Sequence, residues 1–495
     1  MRKQVLFGAA LLALGTAVVS CSKDEVVIDN KPGVETPVAE GEQEIILQVA
    51  NTGDGLTTRA GRPLLSSEAT QNIDEVKVVV VNIANKKVLL VKEFPLWMNN
   101  SEIYSDNGHG RQVKWKLSGD EKLNTGTYRI YAVGRSTTSD YSDWSTWTEY
   151  QRAKDFTPVT LEYNEETDWG EEVFAGEIAS ITVDSDGNFV AGDLTSGGTT
   201  DFNVLTLHRQ VAGTFGYFTG IPTNAVGGTA VGIDKLQLRL VARNKNSHII
   251  FDAFNTAFRT TGDEVKYVVN GYSESSLDKD AYFYQNGTSG VVKVATNINS
   301  EDAYTVYTIN LKDWFPYGDA NEDGLLDSGD YDANPNNWNT PISVEAAELL
   351  PGSVFAGTFV IPFQKSTTSG ETTLQLQLID GSVDENTSDG NNVAALRIWN
   401  ISLAKGDPQI DPAAHVYAAK YVDSSATINF TDEYKLNTDE TADCYSFVRN
   451  HLYTIGTKNS DKDTDEDEPQ DLSTGQNLIL QVNDNWELIH KMEIE

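Results

Sequence analysis

The sequence predicts an all-β chain built as two β-sandwich domains. Three observations predict it. Short runs of alternating or β-branched apolar residues recur along the chain, with turn residues between them. No amphipathic helix longer than a few turns interrupts the first half. A Gly/Ser/Thr-rich stretch, Ser196-Gly-Gly-Thr-Thr200, divides the strands into two groups.

Taken in order, the chain opens on Met1-Arg-Lys3 and an apolar run from Val5 to Val19, shorter than a membrane span. The run ends in Val18-Val19-Ser20-Cys21, a small residue directly before a cysteine, which is the pattern of a bacterial lipoprotein signal. Cleavage before Cys21 frees its thiol for a diacylglyceryl anchor; the plainer alternative is an ordinary signal peptide with an incidental cysteine. Residues 1–20 are then the signal peptide, and 21–59 a propeptide carrying the lipid anchor and the first strand. With Cys21 lipidated, Cys444 has no partner for an intrachain disulfide and reads as a buried thiol.

Residues 26–43 are polar, with Pro32, Gly33, Pro37 and Gly41, and form a tether. Glu44-Ile-Ile-Leu-Gln-Val-Ala-Asn51 is the first strand. The Gly/Thr-rich segment after it is an exposed, cuttable loop in which Arg59-Ala60 is open to an arginine-specific protease, whereas Arg62 is blocked by Pro63. A cut after Arg59 removes lipid, tether and first strand together.

The N-terminal sandwich, 60–204, contains a predicted hairpin of 75–82 with 87–94, then strands over 126–134, 173–178 and 180–184. Tyr141, Trp144, Trp147, Tyr150, Phe156, Tyr163 and Trp169 either pack loops over the sandwich or form a glycan platform. The C-terminal sandwich, 205–458, has predicted strands at 205–215, 234–242, 303–310, 353–361, 373–379 and 395–401.

The last segment, 459–495, pairs an acidic, solvated linker (461–471) with a long strand. From Leu478 to Ile494, seven of nine alternate positions are apolar, including Leu478, Leu480, Val482, Trp486, Leu488 and Met492. Its start, Asn477-Leu-Ile-Leu-Gln-Val-Asn-Asp484, is a near-copy of residues 44–51. Ile45, Leu47 and Val49 fall in register with Leu478, Leu480 and Val482, and Gln48 with Gln481. Two such segments either look alike because strands draw on few residue types, or one replaces the other in a single slot. An apolar-faced strand on a tether is an aggregation hazard unless something receives it.

A formal charge of −36 argues against nucleic acid and against docking on anionic membranes. Nothing reads as an enzyme. The six histidines (His109, His208, His248, His415, His451, His490) are scattered, and there is no Gly-x-Ser-x-Gly elbow and no Walker loop. One motif does carry chemistry. Asp319, Asn321, Asp323, Asp327 and Asp330 stand at positions 1, 3, 5, 9 and 12 of a loop with Gly324 at the sharp turn, and Leu325 offers its carbonyl. A hard cation needs oxygens brought round by such a turn, so calcium is the expected ion; the alternative is an acidic turn with no ion. Pro316 and Pro335 argue against helices on either side.

The lipobox, the arginine site after a first strand, Gly126-Thr-Tyr-Arg-Ile-Tyr131, Leu207-His-Arg-Gln-Val-Ala212 at the domain junction and Asn450-His-Leu-Tyr-Thr-Ile455 together resemble the Bacteroidales fimbrillins, subunits of type V pili. The acidic Asp24-Glu25 after the lipid cysteine resembles their surface-export signal. The resemblance implies two transthyretin-like sandwiches, an outer-membrane lipoprotein precursor, removal of the first strand by an arginine-specific surface protease, and a homopolymeric extracellular fimbrium. The C-terminal strand of the next subunit would fill the groove, and accessory tip and anchor subunits complete the fimbrium. Within the family a tip or anchor subunit is the second reading. From another class, a monomeric calcium-dependent adhesin or glycan-binding lipoprotein would use the aromatic stretch and the 319–330 loop.

Overall fold

The computed structural model describes residues 41–49, 73–104, 110–135, 150–156, 160–162, 172–191, 202–242, 248–250, 271–272, 292–293, 304–341, 349–361, 372–381, 394–403, 417–418, 434–435, 445, 447, 451–458, 467–475 and 477–483. All of them belong to a unit spanning Ala39–Glu495. Two large sheets dominate. Strands between Glu44 and Arg209 make a nine-stranded sheet, and strands between Ala212 and Asn483 a ten-stranded one.

The first sheet curls until its ends face each other. Ile45, Leu47 and Val49 of strand Glu44–Val49 share a core with Val76, Val78 and Val80 of strand Glu75–Asn82, although other strands lie between the two in the sheet order. That closure makes a sandwich from one continuous sheet.

Period two then explains the long apolar runs. In strand Glu75–Asn82, Val76, Val78 and Val80 point into this core, while Val79 and Val81 join a second cluster on the opposite face. Strand Gly126–Arg135 divides the same way, Ile130 and Ala132 against Tyr131 and Val133. A layer buried on both faces has no solvent side to alternate toward, so it reads as Val-Val-Val-Val. The second cluster continues through Phe215 and Tyr217 to Leu238, Leu240, Leu376, Leu378 and Trp399 of the ten-stranded sheet. The two sheets therefore share an apolar core.

The predicted hairpin is present as Glu75–Asn82 and Lys87–Pro95, and the strands expected at 126–134, 234–242, 303–310, 353–361, 373–379 and 395–401 are all found within a few residues of their expected bounds. Tyr150 and Phe156 pack against Tyr131, the Phe156 ring edge-on at 5.1 Å, and the Arg129 guanidinium lies 5.0 Å from the Phe156 ring centre. These two aromatics serve packing; Tyr141, Trp144, Trp147, Tyr163 and Trp169 lie outside the described residues.

Three expectations need correction. The segments 173–178 and 180–184 form one strand, Val173–Val183, because Ala179 continues the extended path. The segment 205–215 is two strands: Val204–Arg209 completes the first sheet beside Val173–Val183, and Ala212–Thr219 begins the second. The chain thus changes sheet at Gln210–Val211, and the Gly/Ser/Thr stretch before it joins strands of one sheet. Finally, the acidic linker is not solvated throughout. Asp467 is buried in an ion pair with buried Lys458 at 3.1 Å, Glu468 exchanges two backbone hydrogen bonds with Thr457, and Gln470–Asp471 runs parallel to Ala212–Thr219.

The crossing at Gln210 is held by a second buried ion pair. Arg209 Nε donates to Glu172 Oε1 at 2.7 Å, both side chains are sealed from solvent, and the guanidinium lies 5.1 Å from the Phe174 ring centre. Gln210 donates its backbone N–H to Val173 at 2.8 Å and its side-chain amide to Ala175 O at 3.2 Å. Removing one partner leaves the other charge buried, so Glu172→Leu is expected to cost about 3–5 kcal/mol in urea denaturation. The double variant Glu172→Leu, Arg209→Met should recover most of that loss; equal losses for single and double variants would show that the pair does not act as a unit.

Candidate functional site

Strand Glu44–Val49 lies inside the first sheet. On one side it runs parallel to Val204–Arg209, with Ile46 opposite Val204 and Val49 opposite Leu207. On the other it runs antiparallel to Arg111–Lys116, with Ile46 opposite Lys114. Its alternate residues Ile45, Leu47 and Val49 are fully buried. At about 1.5–3 kcal/mol each, these three side chains supply a large part of the strand's hold.

Specific contacts fix both ends. Asn203 accepts from the Ile46 N–H at 3.0 Å and donates its side-chain amide to Glu44 O at 2.9 Å. The Gln48 amide donates to Thr206 Oγ1 at 2.8 Å, and Tyr104 OH donates to Val49 O at 3.1 Å. Just before the strand, Gln43 is fully buried and makes three side-chain hydrogen bonds, two to Leu123 and one to Gly187. Glu42 and Lys116 form an exposed ion pair at 2.8 Å. The hydrogen bond and charge of Lys116 hold the Glu42 carboxyl below its ordinary value, and Glu42 raises the Lys116 ammonium. In solvent such a pair adds little.

Strand Leu478–Asn483 occupies the corresponding position in the second sheet. It runs parallel to Ala394–Leu403, with Leu478 opposite Ile401, and antiparallel to Leu452–Ile455, with Val482 opposite Tyr453. Leu478 and Leu480 are fully buried, whereas Ile479 is 48% exposed. This corrects the picture of a free strand on a tether: residues 478–483 are seated in the sheet of their own chain. The cause lies upstream, where Asp467 to Leu472 is already packed and delivers the chain to the slot; Leu472 is buried and donates to Thr219 O at 2.9 Å. Trp486, Leu488 and Met492 lie outside the described residues, as do Cys21, Cys444, Arg59 and Ala60.

The two slots share one design, a parallel neighbour on one side and an antiparallel neighbour on the other, and their occupants share one face pattern. Sequence reading found both strands but missed Gln43, Tyr104 and Asn203. Gln43 could have been found: it is in phase with Ile45, Leu47 and Val49, and a polar side chain at an inward position demands a built partner set.

The 319–330 loop turns where expected, with Gly324 at φ +91° and Glu322 at φ +61°. Its acidic oxygens are engaged with the backbone. Asp319 accepts from the N–H groups of Asp323 and Gly324, Asp323 from Leu325, and Asp327 from Gly329. Asp330 is fully buried and accepts from Ala320 and Asp327. Burial pushes its carboxyl above the ordinary value, against the lowering effect of these N–H groups. Leu325 is paired with Pro222 in a short two-stranded ladder. Short helices flank the loop after all, Leu311–Trp314 and Ser328–Ala333. The second starts inside the motif because Asp327 and Asp330 form a reciprocal capping box, and both end before Pro316 and Pro335, which the prolines permit. The oxygen-rich donor set suits a hard cation, yet among the described residues no three acidic, imidazole or thiol groups are gathered as a metal site.

No family model matches the chain, and no curated protein matches it. Solved structures do. It is similar to a fimbrilin from Porphyromonas gingivalis at 12% identity, covering 90% of this chain and 97% of that one, with a TM-score of 0.35. A putative cell adhesion protein from Parabacteroides distasonis matches at 12% identity over 90% and 97% of the two chains, with a TM-score of 0.33. A tip fimbrial protein from Porphyromonas gingivalis with C-terminal truncation matches at 10% identity over 83% and 94%, with a TM-score of 0.31.

The seating of the first strand has a direct check. Leu47→Ala is expected to lower stability by about 2–5 kcal/mol, and Ile46→Ala, on the outward face, by less than about 1 kcal/mol, in urea denaturation of the uncut chain. Equal losses at the two positions would place the strand in a different register.

Proposed function

We propose that this chain is a structural subunit of a surface fimbria, made as a lipoprotein anchored through Cys21 and polymerised by strand exchange. The observation that carries the reading is the pair of like slots filled by like strands at opposite ends of the chain. An arginine-specific surface protease cuts after Arg59, Ala60 becomes the new start, and strand 44–49 leaves. The emptied slot has two unpaired backbone edges and an apolar floor. It takes the terminal strand of a second copy by main-chain pairing, with Leu478, Leu480 and Val482 replacing Ile45, Leu47 and Val49. The contact is head-to-tail, so it propagates into a filament rather than closing a ring. The filament is extracellular, and tip and anchor subunits terminate it. The polymer serves adhesion and carries no catalysis.

Moving residues 478–483 from their own slot to an equivalent one gains little by itself. The drive comes from the apolar positions beyond, Trp486, Leu488 and Met492, each worth about 1.5–3 kcal/mol when buried. The test is digestion of residues 22–495 with an arginine-specific protease, followed by mass spectrometry and an unboiled denaturing gel. A start at Ala60 with a ladder of oligomers is expected. A chain ending at Asn483 should melt like the full chain yet give no ladder after cutting, because its fold keeps the terminal strand while the drive is lost. Cleavage of the full chain with no oligomers overturns the polymer reading.

The donor set of the 319–330 loop supports a second proposal, that Asp319, Asn321, Asp323, Asp327, Asp330 and the Leu325 carbonyl hold calcium and stiffen a loop of the second domain. Calcium binding only to the folded form raises the melting temperature. Added calcium should therefore raise it, and Asp323→Ala should abolish the shift. A melting curve indifferent to calcium identifies the loop as a self-satisfied turn. The same donor set favours the rival reading, a monomeric calcium-dependent adhesin, which predicts ligand binding lost in EDTA and unaffected by the cut.

A further inference from the structure

The entrance to the first slot contains a pocket that reads a carboxamide. Its walls are the Leu123 backbone and the turn Asp184–Asn188. The turn holds itself: the N–H groups of Asp186 and Asn188 both donate to Asp184 Oδ1 at 2.9 Å, Gly187 N–H donates to Asp184 O at 3.1 Å, and Thr125 Oγ1 donates to Asp184 O at 3.0 Å. Gly187, at φ +82°, lets its carbonyl face inward. Into this frame the Gln43 side chain donates to Leu123 O at 2.8 Å and Gly187 O at 3.0 Å, and accepts from Leu123 N–H at 2.8 Å. Both ends of an amide are required. A carboxylate lacks the donors, and an ammonium lacks the acceptor.

Gln43 leaves with the leader when Arg59 is cut, and three buried backbone groups then lose their partner. The terminal strand supplies the replacement. The alignment that superposes 44–51 on 477–484 places Gln476 at the position of Gln43, just as it places Gln481 at the position of Gln48. The shared pattern is glutamine, three alternate apolar residues, and a second glutamine between the last two: Gln43, Ile45, Leu47, Gln48, Val49 against Gln476, Leu478, Leu480, Gln481, Val482. Resting on the strand-exchange reading, we propose that Gln476 of a second copy fills the Leu123–Gly187 amide pocket and so sets the register of the incoming strand, with Gln481 reaching Thr206. Alternating apolar side chains alone permit a slip by two residues that keeps the same face inward. A buried amide pocket forbids it, because a slipped strand leaves the three polar groups unsatisfied.

The experiment uses the full chain in a Cys444→Ser background, cut after Arg59, with Ile479→Cys and Lys114→Cys added. Ile46 faces Lys114 in the uncut chain, so the correct register brings positions 479 and 114 of two copies together and gives a covalent ladder under oxidation. Gln476→Ala is expected to slow ladder formation by about tenfold or more and to spread the cross-link to Gln112→Cys, two residues along. To separate this from any folding defect, a peptide of residues 474–495 is added to the cut chain as a competitor. Its Gln476→Ala form should compete at least about tenfold less well. Equal competition by both peptides, or an unchanged rate and cross-link in the Gln476→Ala chain, overturns the role of Gln476 and leaves strand exchange standing. No ladder from the unsubstituted cut chain overturns strand exchange itself.

Discussion

A strand inside a sheet satisfies two neighbours at once, and the molecule is governed by that constraint. Among the described residues, strand Glu44–Val49 is the link between Val204–Arg209 and Arg111–Lys116 in the order of the first sheet. If it leaves, two rows of backbone groups and the floor beneath Ile45, Leu47 and Val49 are exposed together. Buried N–H and C=O groups do not stay unpaired, because each costs as much as a lost hydrogen bond or more. The slot must therefore be refilled by something extended, apolar on alternate residues and free of proline. Residues 44–49 and 478–483 both meet these conditions.

The slot is also rigidly framed. The layer formed by Glu75–Asn82, Gly126–Arg135 and Val173–Val183 gives alternate residues to the first core and to the cluster shared with the second sheet. A change in that layer is felt on both faces, since close-packed interiors transmit strain. The Arg209–Glu172 pair, sealed from solvent at the crossing, adds a directional contact beside the Gln210 hydrogen bonds at a largely apolar junction. Two sheets that share one core constrain each other's packing, and with it the shape of the slot.

The strands were legible because a buried face imposes period two on the residues themselves, and Glu75–Asn82 and Leu374–Asp380 could be read almost to the residue. What escaped depended on partners distant in sequence or on a neutral-looking local pattern. Asp467 belongs by composition to a solvated acidic stretch, and its pairing with buried Lys458 makes it structural. The Gly/Ser/Thr stretch before Val204 resembles a domain linker because turns and linkers use the same residues, although here both flanking strands lie in one sheet. The helix Ser328–Ala333 was hidden by reading the carboxylates of Asp327 and Asp330 as cation ligands, when the same oxygens also serve as caps. Gln43 was passed over as the end of a polar tether, although its phase with Ile45 already pointed it inward.

The likeness of the two slots bears on how a cut can act as a switch. In the strand-exchange reading proposed above, cleavage after Arg59 would change only the covalent tether of strand 44–49 and none of its pairing partners. While attached, the leader would re-enter at an effective concentration set by the chain that joins it to Ile73. Once cut, a departing leader is diluted into the surroundings and competes as a free peptide. The terminal strand faces the mirror image of this problem, since it stays tethered to its own chain and to a slot of equal kind. On that reading, exchange would proceed only if the segment beyond Asn483 added burial that the home slot does not provide. In this scheme the protease sets when the groove opens, the inward-facing glutamines set how the strand lies, and the last apolar residues decide that it stays.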